Sequence, residues 1–96
     1  MNKEAFKKSL QEGAVPEGLS ELQAGLWHAA NDNWQAAHEV AQAHEGERDF
    51  DHLHAYLHRA EGDEWNANYW YRRAGVKMPD QSLPDELDNL INLWLV

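Results

Sequence analysis

The sequence predicts an all-α fold: one domain over residues 1–96, built on a duplicated helical hairpin with an N-terminal helix before it and a C-terminal capping helix after it. Three observations predict it. Apolar residues recur at helical spacing. The chain matches itself after a shift of 31 residues. Residue types that start and stop helices sit at the edges of the apolar runs.

The shift by 31 pairs Leu22 with Leu53, Ala24 with Ala55, Leu26 with Leu57, Ala29 with Ala60, Asp32 with Asp63, Trp34 with Trp65, Ala36 with Ala67 and Ala43 with Ala74. Eight identities thus fall in the 22 positions from 22 to 43, where about one or two would arise by chance. Each copy reads as helix, short polar turn, helix, with turns at Asn31-Asp32 and Gly62-Asp63. In the second helix of each copy, Ala36 and Ala43, then Ala67 and Ala74, lie two turns apart. This spacing predicts that both pairs face the hairpin seam, where small residues let helices approach closely.

Taken in order, the stretch Asn2–Glu12 is expected to be helical, anchored by Ala5, Phe6 and Leu10, and Gly13–Gly18 with Pro16 is a loop. Ser20-Glu21-Leu22-Gln23 has capping-box spacing behind Leu19. Leu19, Leu22, Leu26 and Ala29 form one apolar face, and Phe50, Leu53, Leu57 and Ala60 repeat it. Gly75 is a helix-ending residue, and Met78-Pro79 breaks the pattern. Ser82-Leu83-Pro84-Asp85 opens a last helix whose stripe is Leu87, Leu90, Ile91, Trp94 and Leu95. That helix is expected to cap the open end of the second hairpin; the other reading of its stripe is a homodimer seam.

Charge and composition exclude several classes. Eight basic against 17 acidic residues give a net charge of −9 with no basic stripe, which speaks against nucleic-acid binding. The absence of Cys removes disulfides and thiolate metal sites. No apolar run reaches the ~18–20 residues of a membrane span, and the N-terminus lacks a signal-peptide core, so a cytoplasmic location without membrane partners is expected. Nucleophilic catalysis finds no Cys, no phosphate loop, and serines only at helix ends.

Gly62-Asp63, Ala67, Tyr71, Ala74 and Pro79 fall at the spacing of the second half of a tetratricopeptide repeat, which the chain resembles there. The first half of that signature is not kept, since its Trp, Leu, Gly and Tyr would fall on Asp51, His54, Ala55 and His58. A second resemblance spans roughly residues 26–75. The runs His54-Ala55-Tyr56-Leu57-His58-Arg59, Glu61-Gly62-Asp63, Asn66-Ala67 and Tyr69 to Gly75, with Trp34 to His38 before them, are similar to a small family of uncharacterised bacterial and fungal helical proteins. That resemblance implies no catalytic residues, only that these polar residues belong together.

Six His in 96 residues are many. His54, His58 and Glu61 are spaced i, i+4, i+7 and share one helix face. Two imidazoles one turn apart with a carboxylate beyond can hold a divalent metal. The same spacing also suits one exposed His and one buried His bonded to a neighbour. His38, on a face with Trp34 and Ala41, is the best further ligand; His28, His44 and His52 are expected at surface or boundary positions. Trp65, Tyr69 and Arg72 form a second face of their helix, which could stack on and clamp a ligand or pack under the C-terminal helix. The expected function is a non-enzymatic module that binds an unidentified protein or peptide. The alternative is a metal- or small-molecule-binding protein, with catalysis open, using His38, His54, His58, Glu61, Tyr69 and Arg72.

Overall fold

A computed structural model describes residues 1–95, which form six helices and no strand. They are α1 (Lys3–Glu12), α2 (Glu21–Ala30), α3 (Trp34–Ala43), α4 (Arg48–Ala60), α5 (Glu64–Ala74) and α6 (Leu83–Trp94). The caps follow the sequence. The Ser20 side chain accepts from the Gln23 N–H while the Gln23 side chain accepts from the Ser20 N–H, closing the capping box of α2. Ser82 caps α6 with Pro84 in its first turn, and Gly75 ends α5 at φ 72°. No helix of the described residues is long and apolar enough to cross a membrane.

The helices pair as two hairpins, α2 with α3 and α4 with α5, and α3 packs beside α4. Their structural register is 30 residues, one less than the sequence shift. Ala30 and Ala60 end the first helices, and Asn33 and Asp63 cap the second ones through the Ala36 and Asn66 N–H groups. Asp32 and Gly62 take the left-handed turn position, at φ 57° and 86°. One residue turns a helical side chain by about 100°, so the difference has a visible result. In the first hairpin the buried small residues are Ala37 and Ala41; Ala36 is half-buried and Ala43 exposed. The expected seam holds in the second hairpin, where Ala67 and Ala74 are buried. The turn geometry, not the tally of identities, sets which face of α3 meets the core.

The register also explains Gly25, which pairs with the buried Ala55. A Cβ at Gly25 would lie 2.9 Å from both Leu53 Cδ2 and Val40 Cγ1. The helix is bare there so that α3 and α4 can close on α2.

The C-terminal helix caps a different surface from the one expected. Its Leu90 and Ile91, with Leu95 just beyond, join Phe6 of α1, Leu26 and Trp27 of α2, and Leu53, Tyr56 and Leu57 of α4 in the main core. It therefore lies across the first helices of both hairpins, with α1 alongside, and not on the end of the second hairpin. Each large side chain buried this way contributes about 1.5–3 kcal/mol. Polar contacts set the docking: Trp27 Nε1 donates to Ser9 Oγ at 2.9 Å, Gln23 Nε2 donates to the Trp94 carbonyl at 2.9 Å, and Lys7 pairs with Asp88 at 3.2 Å. The stripe once open to a dimer seam is largely spent inside the chain, leaving Leu93 as the exposed large apolar residue of α6.

Beneath α6 lies a buried ion pair. Glu86, 3% exposed, accepts from Arg59 Nη1 at 2.8 Å and from the Tyr71 hydroxyl at 2.5 Å, and Arg59 Nη2 donates to the Gln81 carbonyl. Burial, then the bond to Glu86, pushes the Tyr71 hydroxyl pKa up. This network fastens α6 and the loop before it to α4 and α5.

Candidate metal centre

On another side of α4 three imidazoles meet. His54 and His58 project from one face of α4, because four residues make about one turn. His38 comes from α3, one turn beyond Trp34 at the start of that helix. The three offer ligand nitrogens that all lie within 4.8 Å of one another. The closest approach is His38 Nε2 to His54 Nε2, at 3.1 Å.

Aromatic walls hold the rings. Trp34 stacks on His38 with centroids 4.6 Å apart, and its indole N–H donates to the Leu57 carbonyl at 2.7 Å. His54 stacks on Trp70 of α5 at 3.8 Å and lies nearly parallel to His58 at 4.9 Å. The Arg73 guanidinium sits 5.0 Å over the Trp70 ring. The site is thus the seam between the two hairpins, with one wall from α3, a floor from α4 and a second wall from α5.

Electrostatics disfavour charge on His54 and His38. Burial pushes the His54 pKa down from 6.5 to about 3, and His38, His58 and Arg73 push it the same way. The His38 pKa is also lowered, first by burial and then by His58. The His54 ring is 3% exposed and its Nδ1 has no hydrogen-bond partner. Buried polar atoms rarely go unpaired, and a Phe would stack on Trp70 as well. The hydrogen bond between the His38 and His54 Nε2 atoms needs an imidazole here, but it leaves His54 Nδ1 unaccounted for.

Glu61 takes a different part from the expected one. Its Oε2 holds His58 Nδ1 at 2.7 Å, which leaves Nε2 as the free nitrogen of His58. A carboxylate behind an imidazole fixes the ring and raises its basicity toward a metal. His58, Glu61 and Asp63 also come within 4.8 Å of one another. The Asp63 carboxylate, however, is taken up by the Asn66 N–H at 3.2 Å and Asn66 Nδ2 at 2.6 Å, bonds that lower its pKa.

Two expected residues lie elsewhere. Tyr69 and Arg72 are exposed on α5, and Trp65 beside them is 77% exposed. They neither join the imidazoles nor pack under α6. Their neighbours Trp70 and Arg73 do what was expected of them. Trp70 falls between Ala67 and Ala74 at helical spacing, so the seam pattern itself could have identified it. His52 is not an ordinary boundary residue either. Its Nε2 lies 4.0 Å from Glu86 Oε2, in a cavity of about 140 Å³ also lined by Val76, Pro79, Gln81 and Leu90. His52 and Arg59 lie two turns apart on α4, but no local signal in the sequence joins them to Glu86, which comes from α6. His44 and His28 sit near the surface, His44 between Glu21 and Glu47.

Comparison with known proteins leaves the chain on its own: no family model, no curated protein and no solved structure matches it.

Proposed function

We propose that the protein binds a divalent transition metal, with His38, His54 and His58 as ligands. The observation that carries this reading is the convergence of their nitrogens within 4.8 Å at a buried seam. A tetrahedral zinc ion with Zn–N bonds of about 2.0–2.1 Å spaces its ligands about 3.3 Å apart; the His38 and His54 nitrogens stand at 3.1 Å. His58 completes the set by a small side-chain movement, guided by Glu61. Three imidazoles suit zinc, nickel or copper and leave a fourth position for water or substrate. The lowered pKa values support the reading, because His38 and His54 are deprotonated at neutral pH and need release no proton on binding.

Calorimetric titration with zinc and with nickel at pH 7 tests the proposal. The wild type should bind one ion, and saturation at about a hundred times Kd should stabilise the fold by about 2.7 kcal/mol. Replacing His54 and His58 together with Ala should abolish binding while the helical spectrum persists. Glu61→Gln should weaken it by about 10–100-fold. Binding that is unchanged in the double variant, or no binding by the wild type, would end the metal reading.

The interaction module expected from the sequence stands as a second reading, on one observation. The first helices of both hairpins, α2 and α4, are covered by α6, so that surface offers no open groove. The aromatic face of α5 at Trp65 and Tyr69 remains exposed.

A further inference from the structure

His52 and His54 leave α4 on opposite sides, because two residues turn a helix by about 200°. His52 faces the cavity of about 140 Å³ enclosed by α4, α6 and the segment that joins α5 to α6. Four of its walls are apolar: Val76 and Pro79 from the segment, Leu90 and Leu93 from α6. Leu93 is the large apolar residue that α6 leaves exposed, so the cavity meets solvent beside it. A cavity of this size exceeds the roughly 30 Å³ share of one water, and an apolar cavity of about 150 Å³ admits benzene. The space therefore suits a single six-membered ring.

The polar part of the lining says what that ring must carry. Glu86 is 3% exposed and lines the cavity beside His52. A carboxylate offers about four acceptor sites, and Glu86 fills one with Arg59 and one with Tyr71. Its Oε2 stands 4.0 Å from His52 Nε2. That is too long for a direct hydrogen bond and is the gap that one atom bonded to both would span. Burial lowers the His52 pKa, although Glu86 raises it, so the ring is neutral at pH 7 and offers one N–H and one lone pair. The bridging group must donate to Glu86. A carboxylate would be repelled by Glu86, and Lys77, though also in the lining, is exposed and screened. An ammonium would find the Glu86 charge already balanced by Arg59 at 2.8 Å. A hydroxyl donates to Glu86 and accepts from His52 without bringing a charge.

We infer that this cavity binds a neutral phenol, its ring against Val76, Pro79, Leu90 and Leu93 and its hydroxyl between His52 Nε2 and Glu86 Oε2. An aromatic ring fits the surroundings, since His52 already meets Tyr71 and Trp94 edge to face, with centroids 5.9 and 5.7 Å apart. A phenolic hydroxyl also donates more strongly than an aliphatic one, which favours it against a carboxylate. The inference is independent of the imidazole cluster and of any metal there.

Titration of the full chain with phenol and with toluene, followed by NMR in the presence of a chelator, tests it. Toluene has nearly the shape of phenol and lacks the hydroxyl. Phenol should bind one to one with a Kd below about 1 mM, and toluene about tenfold or more weakly, the difference expected for hydrogen bonds to a charged group. Nuclear Overhauser contacts should join the phenol ring protons to the methyl groups of Val76 and Leu90. His52→Leu keeps the apolar space and removes the acceptor's partner, so it should bring phenol down to the affinity of toluene. Leu93→Trp, at an exposed position, fills the mouth and should weaken both by about tenfold or more while the helical spectrum persists. Three results would overturn the inference: no phenol binding by the wild type, phenol bound no better than toluene, or ring contacts to residues outside this cavity.

Discussion

On one side of α4, Arg59, Tyr71 and Glu86 hold one another by hydrogen bonds; on another, His38, His54 and His58 have only each other, Glu61 and aromatic walls. Both clusters are buried at helix contacts, and both need titratable groups to leave water. In the first, the charged carboxylate has a cation and a hydroxyl to compensate its desolvation. In the second, compensation is incomplete: His54 keeps an unpaired nitrogen and gives up its charge. A saturated polar cluster is explained by the fold it holds. An unsaturated one has capacity left for something the chain does not supply.

The largest expected effect separates these roles. Glu86→Leu leaves the Arg59 charge buried without its partner and should cost about 3–5 kcal/mol in urea denaturation. His54→Phe replaces a neutral stacked ring by another and should cost under about 1.5 kcal/mol at pH 7, while abolishing metal binding. Near-equal losses would show that the two clusters do the same work.

The two hairpins give the next comparison. Ala37→Leu should overpack the first hairpin and cost about 1–3 kcal/mol, whereas Ala36→Leu should stay within about 0.5 kcal/mol. The reverse order in chemical denaturation would restore the 31-residue register.

A smaller effect lies in the pH dependence. The folded His54 pKa of about 3 is below its ordinary 6.5, so the unfolded chain takes the proton first. Its contribution to stability is complete above pH 6.5. It is lost as pH falls toward 3, by up to about 1.4 kcal/mol per pH unit. His54→Phe should flatten this limb of the stability profile; an unaltered slope would place the acid sensitivity elsewhere. His44 has the opposite sign. Hydrogen bonds that its ring donates to Glu21, then Glu47, raise its pKa, so any contribution is present below pH 6.5 and lost as pH rises through the raised value. Glu21→Gln should lower the His44 titration midpoint measured by NMR, with no change at His54.

Helix identity, caps and the last stripe were legible from the chain alone, because they are set within one or two turns. Ser20 with Gln23, Ser82 with Pro84, and Gly75 act on their immediate neighbours. The pairing of His54 with His58 was legible for the same reason, and so was the choice of His38, since each shares a helix face with residues whose role the pattern shows. The 31-residue shift misplaced Ala36 and Ala43 because identity counts weigh residue types, while hairpin register follows a turn in which Asp32 adopts a glycine-like conformation. Tertiary structure alone decided where α6 docks, that Glu61 serves His58 at its Nδ1, and that Arg73 lies over Trp70 while Tyr69 and Arg72 face outward. Each of these depends on the rotation of one helix against another. That rotation comes from the packing of all the side chains at the contact, such as Gly25 against Leu53 and Val40, and no single stretch of sequence contains it.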